Sequence, residues 1–155
     1  MAEKEAKFTV LEFHKKMAVE TNNGIWPVLD AEKPNREQLE EAMHMAHASR
    51  FHWGKVGSAV NLARADYMIS RVYCAMGRGE PALFHARRCL EICEENGIGD
   101  FDLAFAYEVI ARAYGAAGSQ GKCKKYRGLA QEAIDEVEKD EDRKICQGEL
   151  DKVKC

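Results

Sequence analysis

The sequence has few of the residues that favour β-structure and irregular loops. Three prolines and two threonines occur in 155 residues, whereas Ala, Glu, Leu, Lys and Arg are abundant. Because these abundant residues have high helix propensity, the composition favours helix over sheet. A chain of this length with 46% hydrophobic residues can bury one sizeable core. We therefore expect an all-α fold in a single domain.

Neither sign of charge prevails, and long apolar runs are missing. A net charge of -3 and an isoelectric point near 6.0 give no electrostatic reason to expect nucleic acid or an acidic membrane as partner. The opening MAEKEAKFTV lacks the apolar stretch of a signal peptide, and no later segment approaches the roughly 18 uncharged apolar residues of a membrane span. We expect a cytoplasmic protein that binds neither nucleic acid nor membrane.

The cysteines lack the CxxC spacing of metal and redox motifs. They are dispersed over predicted helices, in a chain well above the size of disulfide-rich mini-proteins. We therefore predict reduced thiols, with an exposed Cys155, for all six: Cys74, Cys89, Cys93, Cys123, Cys146 and Cys155.

Apolar periodicity and turn residues predict six helices and a short seventh. The first covers residues 4–21 and ends at the sequence Asn22-Asn23-Gly24, before a connector, residues 24–34, from which Ile25 and Trp26 dock on the core. Asn35, with Gln38 three positions on, predicts a capping box for the second helix, and Ser58 is the predicted cap of the third. The predicted helices end near Trp53, Gly77, Gly97, Gly118 and Lys139, and the last helix follows.

The middle of the chain contains an internal repeat. Shifting by 41 residues superposes NLARADYMISRVYCAMG (61–77) on DLAFAYEVIARAYGAAG (102–118), with eight identities in seventeen positions. Self-similarity of this kind is typical of stacked repeats, in which each unit buries its faces against its neighbours. We divide the domain into an irregular helical pair and connector (1–57), two repeats (58–99 and 100–139) and a C-terminal helix (140–155).

The repeats also share a pattern of residue types. A large apolar residue is followed by Tyr and Gly at steps of four, and then by small residues in the next helix: Ile69, Tyr73, Gly77, Ala82, Ala86 and Cys89, and Ile110, Tyr114, Gly118, Cys123 and Ala130. Over roughly residues 60–138 this resembles the tetratricopeptide repeat. The resemblance implies a right-handed stack of six to seven antiparallel helices with a concave groove for extended peptides or partner helices. The 41-residue spacing exceeds the about 34 of that family, which longer helices or loops would explain.

The resemblance also implies which side chains line the groove. At the matching positions stand Arg64, Tyr67 and Arg71 in one repeat and Phe105, Glu108 and Arg112 in the next. Arginines beside aromatic rings would suit a partner's carboxylate and apolar side chain. On this interpretation, reversing the charge of Arg71 and Arg112 should hardly affect folding. The alternative is that the arginines pair with Asp66, Glu108 or Asp102.

Three histidines, His44, His47 and His52, lie within nine positions of the second helix. At 100 degrees per residue they span an arc of about 140 degrees, too wide for three ligands of one metal ion. His85, Cys89 and Cys93 share one helix face, but we interpret these cysteines as small core residues rather than as a nucleophile beside His85. We therefore expect no metal and no cofactor.

These patterns favour a non-enzymatic scaffold that binds a protein or peptide in its groove. One alternative is a metal-dependent or small-molecule enzyme in a helical bundle that uses His14, His44, His47 or His85. The other is a structural homo-oligomer in which a neighbouring subunit fills the groove, because a short array exposes an end.

Overall fold

A computed structural model describes residues 4–155 as seven α-helices, and these residues contain no strand. The all-α prediction is therefore confirmed. The helices are α1 (Val10–Asp30), α2 (Arg36–Val56), α3 (Ala59–Ala75), α4 (Gly79–Glu95), α5 (Asp100–Ala116), α6 (Gln120–Asp135) and α7 (Asp140–Asp151). None of these helices is both long and apolar enough to cross a membrane.

The odd-numbered helices form an inner row. Each helix packs against the next in the chain, and α3 also contacts α1 and α5, while α5 also contacts α7. The even-numbered helices α2, α4 and α6 make no comparable contacts with one another among the described residues. One face of α1, α3, α5 and α7 is thus brought together, and we call it the inner face.

Helix starts follow the predicted capping residues. Asn35 accepts a hydrogen bond from the Gln38 amide at 2.8 Å, and the Gln38 side chain accepts one from the Asn35 amide at 2.9 Å. Ser58 precedes α3 as predicted, and its amide donates to Asn61 Oδ1 at 3.0 Å. These reciprocal bonds satisfy amide groups that have no partner inside the helix.

Both predicted bounds of α1 are wrong: the helix begins at Val10, after its cap Thr9, and not at residue 4. The helix continues past Gly24 and through Pro27 to Asp30. Gly24 serves close packing here, because an added Cβ would lie 3.0 Å from Met45 Sδ on α2. Ile25 is fully buried, so its docking on the core is confirmed, although it docks from a helix and not from a connector. Burial of this turn offsets the hydrogen bond that Pro27 cannot make.

The 41-residue repeat is visible in the helix bounds. Helix α3 begins and ends at Ala59 and Ala75, and α5 at Asp100 and Ala116, which are offsets of 41 at both ends. Gly77 and Gly118 follow these helices with φ of +71° and +78°, a conformation that favours glycine. Helices of 17 residues thus account for the long spacing.

The core runs through all the helices. Its largest fully buried apolar side chains come from α1, α3, α5, α6 and α7 and include Ile25, Ile69, Ile110, Ile134 and Leu150. Alanines between them are also fully buried, among them Ala82, Ala86, Ala104 and Ala130. These small residues allow helices to approach closely, as the repeat pattern predicted.

The cysteine prediction is only partly right. Cys74, Cys89, Cys93 and Cys146 are free thiols, but Cys123 and Cys155 form a disulfide across a sequence separation of 32. Cys123 is nevertheless fully buried, as its repeat position predicted, and Cys155 is half-buried rather than exposed. The fold brings the chain end to α6, which no local spacing pattern indicates.

Candidate functional site

A cavity of about 290 Å³ opens on the inner face between α1, α3, α5 and α7. We call it the inner pocket. Its lining comprises Asn22, Trp26, Ala63, Arg64, Tyr67, Met68, Cys89, Phe101, Asp102, Phe105, Ile145 and Glu149. Four of these residues are aromatic, and a few of the others carry polar side chains. Cavities of this kind, apolar with a small number of placed polar groups, are the usual form of a ligand site.

Aromatic rings and one ion pair build the wall formed by α3 and α5. The rings of Tyr67 and Phe105 meet edge to face with centroids 5.4 Å apart. Arg64 donates two hydrogen bonds to Asp102, of 2.9 and 3.0 Å, and its guanidinium lies 5.3 Å from the centre of the Phe101 ring. Because its carboxylate partner fixes its position, Arg64 forms a defined rim to the pocket.

Beside the pocket lies a buried group of charges, which we call the arginine–glutamate cluster: Tyr67, Arg71, Glu108, Arg112 and Glu149. Arg71 Nη1 donates to Tyr67 Oη at 2.8 Å and to Glu149 Oε2 at 3.0 Å. Arg112 Nη2 donates to Glu108 Oε1 at 2.8 Å and to the Glu149 carbonyl at 3.0 Å. Helix α7 thereby supplies a carboxylate to Arg71 and a backbone carbonyl to Arg112, and the same carboxylate lies 3.5 Å from Arg112 Nη2.

Burial and charge shift the protonation of this cluster. Burial opposes the charge on Arg71, but Tyr67 and Glu108 outweigh it and raise the pKa of the guanidinium. Burial likewise raises the pKa of Glu149, but Arg71 and Lys152 outweigh it, and the result lies below the ordinary glutamate value. Stabilisation by Glu149 is therefore complete above the ordinary glutamate pKa and is lost as the pH falls through the lowered one.

The cluster leaves two buried polar atoms without a partner, Glu108 Oε2 and Arg112 Nε. Glu108 is 1% exposed and Arg71 is 6% exposed. Groups so deeply buried cost free energy when unpaired, so removing one partner while the other stays buried is expected to destabilise the protein.

The predicted groove residues meet on the inner face but take two different roles. Arg64, Tyr67 and Phe105 line the inner pocket. Arg71 and Glu108 are buried in the cluster, so the expectation that both arginines are open surface groups fails for Arg71. The alternative pairing of Arg71 and Arg112 with Glu108 is what the structure shows, at 3.9 and 2.8 Å, whereas Asp102 pairs with Arg64.

The residues of this site that sequence reasoning missed include Trp26, Phe101, Ile145 and Glu149. Trp26 was assigned to a connector, because the two prolines around it obscured the continuation of α1. Glu149 lies 78 positions from its partner Arg71, and only the folded arrangement brings them together.

Four of the five histidines are divided between two separate sites, and the fifth, His44, is exposed. His14 and His52 share a hydrogen bond of 2.8 Å between their Nδ1 atoms. His47 is hydrogen-bonded to Tyr73 Oη at 2.9 Å, and His85 Nδ1 donates to the buried Asp66 at 2.9 Å. Each of these four side chains thus has a hydrogen-bond partner on another helix. The contacts give the histidines a structural role, which the sequence alone did not determine.

Metal content is the sharpest test of the enzyme alternative. In residues 4–155 no three His, Cys, Asp or Glu side chains are arranged to hold a metal ion. We expect tag-free protein to contain no stoichiometric zinc, nickel or iron by plasma mass spectrometry. A near-stoichiometric metal that is lost together with stability on replacing His47 and His85 by Ala would contradict this prediction, since structural metal binding contributes to folding.

Three of the four free cysteines are poor nucleophiles; in the fourth, Cys93, the hydrogen bond with Cys89 lowers the thiol pKa, but the residue is buried. Burial raises the pKa of the Cys74 thiol to about 11 and that of Cys146 to about 12. The pKa of Cys89 is also raised, by its hydrogen bond with Cys93 and by burial. Because the thiolate is the reactive form, these groups do not support covalent catalysis near neutral pH. His85, the proposed partner of Cys89, is hydrogen-bonded to Asp66.

The inner pocket and its cluster are therefore the candidate site. Comparison of the chain with protein-family models, with curated proteins and with solved structures finds no match in any of the three.

Proposed function

We propose that the protein is a non-enzymatic binding module, similar in design to tetratricopeptide repeats, and that its inner pocket receives one bulky apolar side chain of a protein or peptide partner. The observation that carries this proposal is the aromatic lining of the pocket, formed by Trp26, Tyr67, Phe101 and Phe105. Large aromatic residues in desolvated pockets are the usual energetic centres of interfaces.

The size of the pocket favours a side chain over a larger ligand. Its volume of about 290 Å³ lies just below the roughly 300 to 1,000 Å³ of pockets for drug-sized molecules. Asn22, Asp102 and Glu149 lie among the apolar residues and offer amide and carboxylate groups. Such groups suit the backbone amides that flank a docked peptide side chain.

Self-association is the second candidate. It is favoured by apolar side chains exposed on the first half of α1, where Val10 and Leu11 are 74% and 62% exposed. These residues lie away from the inner pocket, so a dimer formed there would not exclude a peptide. Light scattering on each sample used for binding reports whether a second copy is present.

Peptide selection tests the proposal. Peptides selected from a random displayed library on the wild-type protein should share one bulky apolar residue. We expect Phe105→Ala to weaken their binding at least tenfold, which corresponds to about 1.4 kcal/mol, because it removes a pocket wall. Titration can follow Trp26 fluorescence in a Trp53→Phe background, where Trp26 is the remaining tryptophan.

The matched control is Phe84→Ala. Phe84 is 67% exposed on α4 and does not line the inner pocket. Its replacement should leave affinity unchanged. Equal weakening by both substitutions, or selected peptides that share no apolar residue, would show that the inner pocket is not the binding site. Denaturant unfolding of each variant separates lost binding from lost folding.

A further inference from the structure

The C-terminal segment, residues 140–155, covers one side of the arginine–glutamate cluster. Cys146, Leu150 and Val153 are each at most 3% exposed. Between them, Glu149 Oε2 lies 3.0 Å from Arg71 Nη1 and 3.5 Å from Arg112 Nη2. The recurring arginines, expected from the sequence to bind a partner's carboxylate, are thus bound by a carboxylate of the chain itself.

The end of this segment is held more firmly than its middle. The Lys154 carbonyl lies so close to α5 that a Cβ added to Gly115 would be 2.5 Å from the oxygen. One residue later, Cys155 is covalently joined to Cys123 of α6. Glu149 provides a charged attachment and Cys155 a covalent one.

Helix α7 also packs less extensively on its neighbours than any other helix. It packs on α5 and α6, and no helix within the described residues covers its opposite side. Ile145, on that open side, is 60% exposed at the edge of the inner pocket. Terminal elements with one packed side open at lower free energy than central ones.

From these contacts we propose that Cys123 and Cys155 form a redox-operated latch that holds α7 over the inner face. With the disulfide formed, Glu149 on α7 remains paired with Arg71 and Arg112. With it reduced, α7 opens and exposes both arginines and one wall of the inner pocket to a partner. The partner rests on the proposed function, whereas the opening of α7 does not.

The chemistry is ordinary thiol–disulfide exchange. Closing the latch converts two thiols to one disulfide, and the two electrons and two protons pass to a low-molecular-weight disulfide, which is cleaved to two thiols. Opening begins when an external thiolate attacks the Cys155 sulfur, which is half-buried, because Cys123 is fully buried. A second thiol then releases Cys155. In a reducing compartment such as the expected cytoplasm, disulfides are mostly transient or regulatory.

Hydrogen exchange measured by mass spectrometry tests the latch on the full chain. Four samples are compared: oxidised wild type, wild type reduced with dithiothreitol, oxidised Cys155→Ser, and oxidised Cys74→Ser as the control. Cys74 is a half-buried free thiol outside the latch. We expect amides of α7 to exchange at least tenfold faster in the reduced protein and in Cys155→Ser, with α3 and α4 unchanged, because the tether to α6 is lost.

Three results would overturn the latch. The first is equal exchange of α7 in oxidised and reduced protein. The second is uniform acceleration in all helices, which would mean that the disulfide supports the whole fold. The third is that glutathione disulfide fails to oxidise the reduced protein. The intact mass would then not fall by the mass of two hydrogen atoms. Loss of peptide binding in Phe105→Ala is measured separately, so failure of the binding proposal and failure of the latch remain distinguishable.

Discussion

Replacing Arg71 by Leu should lower the free energy of unfolding by about 3 to 5 kcal/mol, the usual cost of removing one partner of a buried ion pair. Leucine retains much of the buried volume but leaves the carboxylate of Glu149 without its 3.0 Å partner and removes the hydrogen bond to Tyr67. Glu108, which is 1% exposed, also loses one of its two neighbouring cations. Urea unfolding followed by circular dichroism measures the change.

Arg64→Leu is the matched control for this experiment. Arg64 lies on the same helix and also binds a carboxylate, that of Asp102, but half of its side chain is exposed, at 52%. Exposed ion pairs contribute about 0 to 1 kcal/mol, so the control should unfold almost like the wild type. Similar stability losses in the two variants would show that burial of the cluster does not govern its energetics. Losses below about 1 kcal/mol in both variants would restore the sequence-based expectation that charge reversal at Arg71 hardly affects folding.

Local patterns predicted the helices well. The seven segments, the capping boxes at Asn35 and Gln38, and the glycines at 77 and 118 all follow from neighbouring residues. The 41-residue repeat also needs only the sequence, and the helix bounds confirm it. These features depend on interactions over a few positions, which periodicity and turn chemistry describe directly.

Tertiary packing explains the missed end of α1. The residues Asn22, Asn23, Gly24 and Pro27 are individually poor in helices, and together they predict a stop. The structure continues the helix because Ile25 is buried and Gly24 fits against Met45. The free energy of these distant contacts outweighs the local preference, and no window of neighbouring residues contains it.

The candidate site could be predicted only in part, because some of its contacts also join residues that are distant in the sequence. The resemblance to the tetratricopeptide repeat predicted six groove residues, and three of them line the inner pocket. The resemblance did not predict which group of the chain would contact that face. Glu149 and the Cys123–Cys155 bond join segments far apart in the chain, and only the folded arrangement brings α7 to Arg71.

The repeat register gives the second large expected effect. Tyr114→Ala should lower the free energy of unfolding by about 3 to 5 kcal/mol, as for other large aromatic residues in cores. Tyr114 is 7% exposed, its hydroxyl accepts a hydrogen bond of 2.8 Å from Arg87, and its ring stacks on Tyr126 at a centroid distance of 5.5 Å. Truncation therefore creates a cavity and leaves the Arg87 donor without its acceptor.

Tyr73→Ala is the internal control, because Tyr73 occupies the same position 41 residues earlier and stacks on His85, the counterpart of Tyr126. The shared repeat position predicts that both tyrosines are mostly buried, but Tyr73 is only half-buried and its hydroxyl partner, His47, is exposed. Solvent can replace that hydrogen bond, so we expect a loss of about 1 to 2 kcal/mol, within the range of ordinary substitutions. Urea unfolding of the two variants measures the difference.

If Tyr73→Ala cost as much as Tyr114→Ala, the two repeats would be energetically equivalent, and burial would not distinguish them. If Tyr114→Ala cost less than about 1 kcal/mol, the assigned register of helix packing would be wrong.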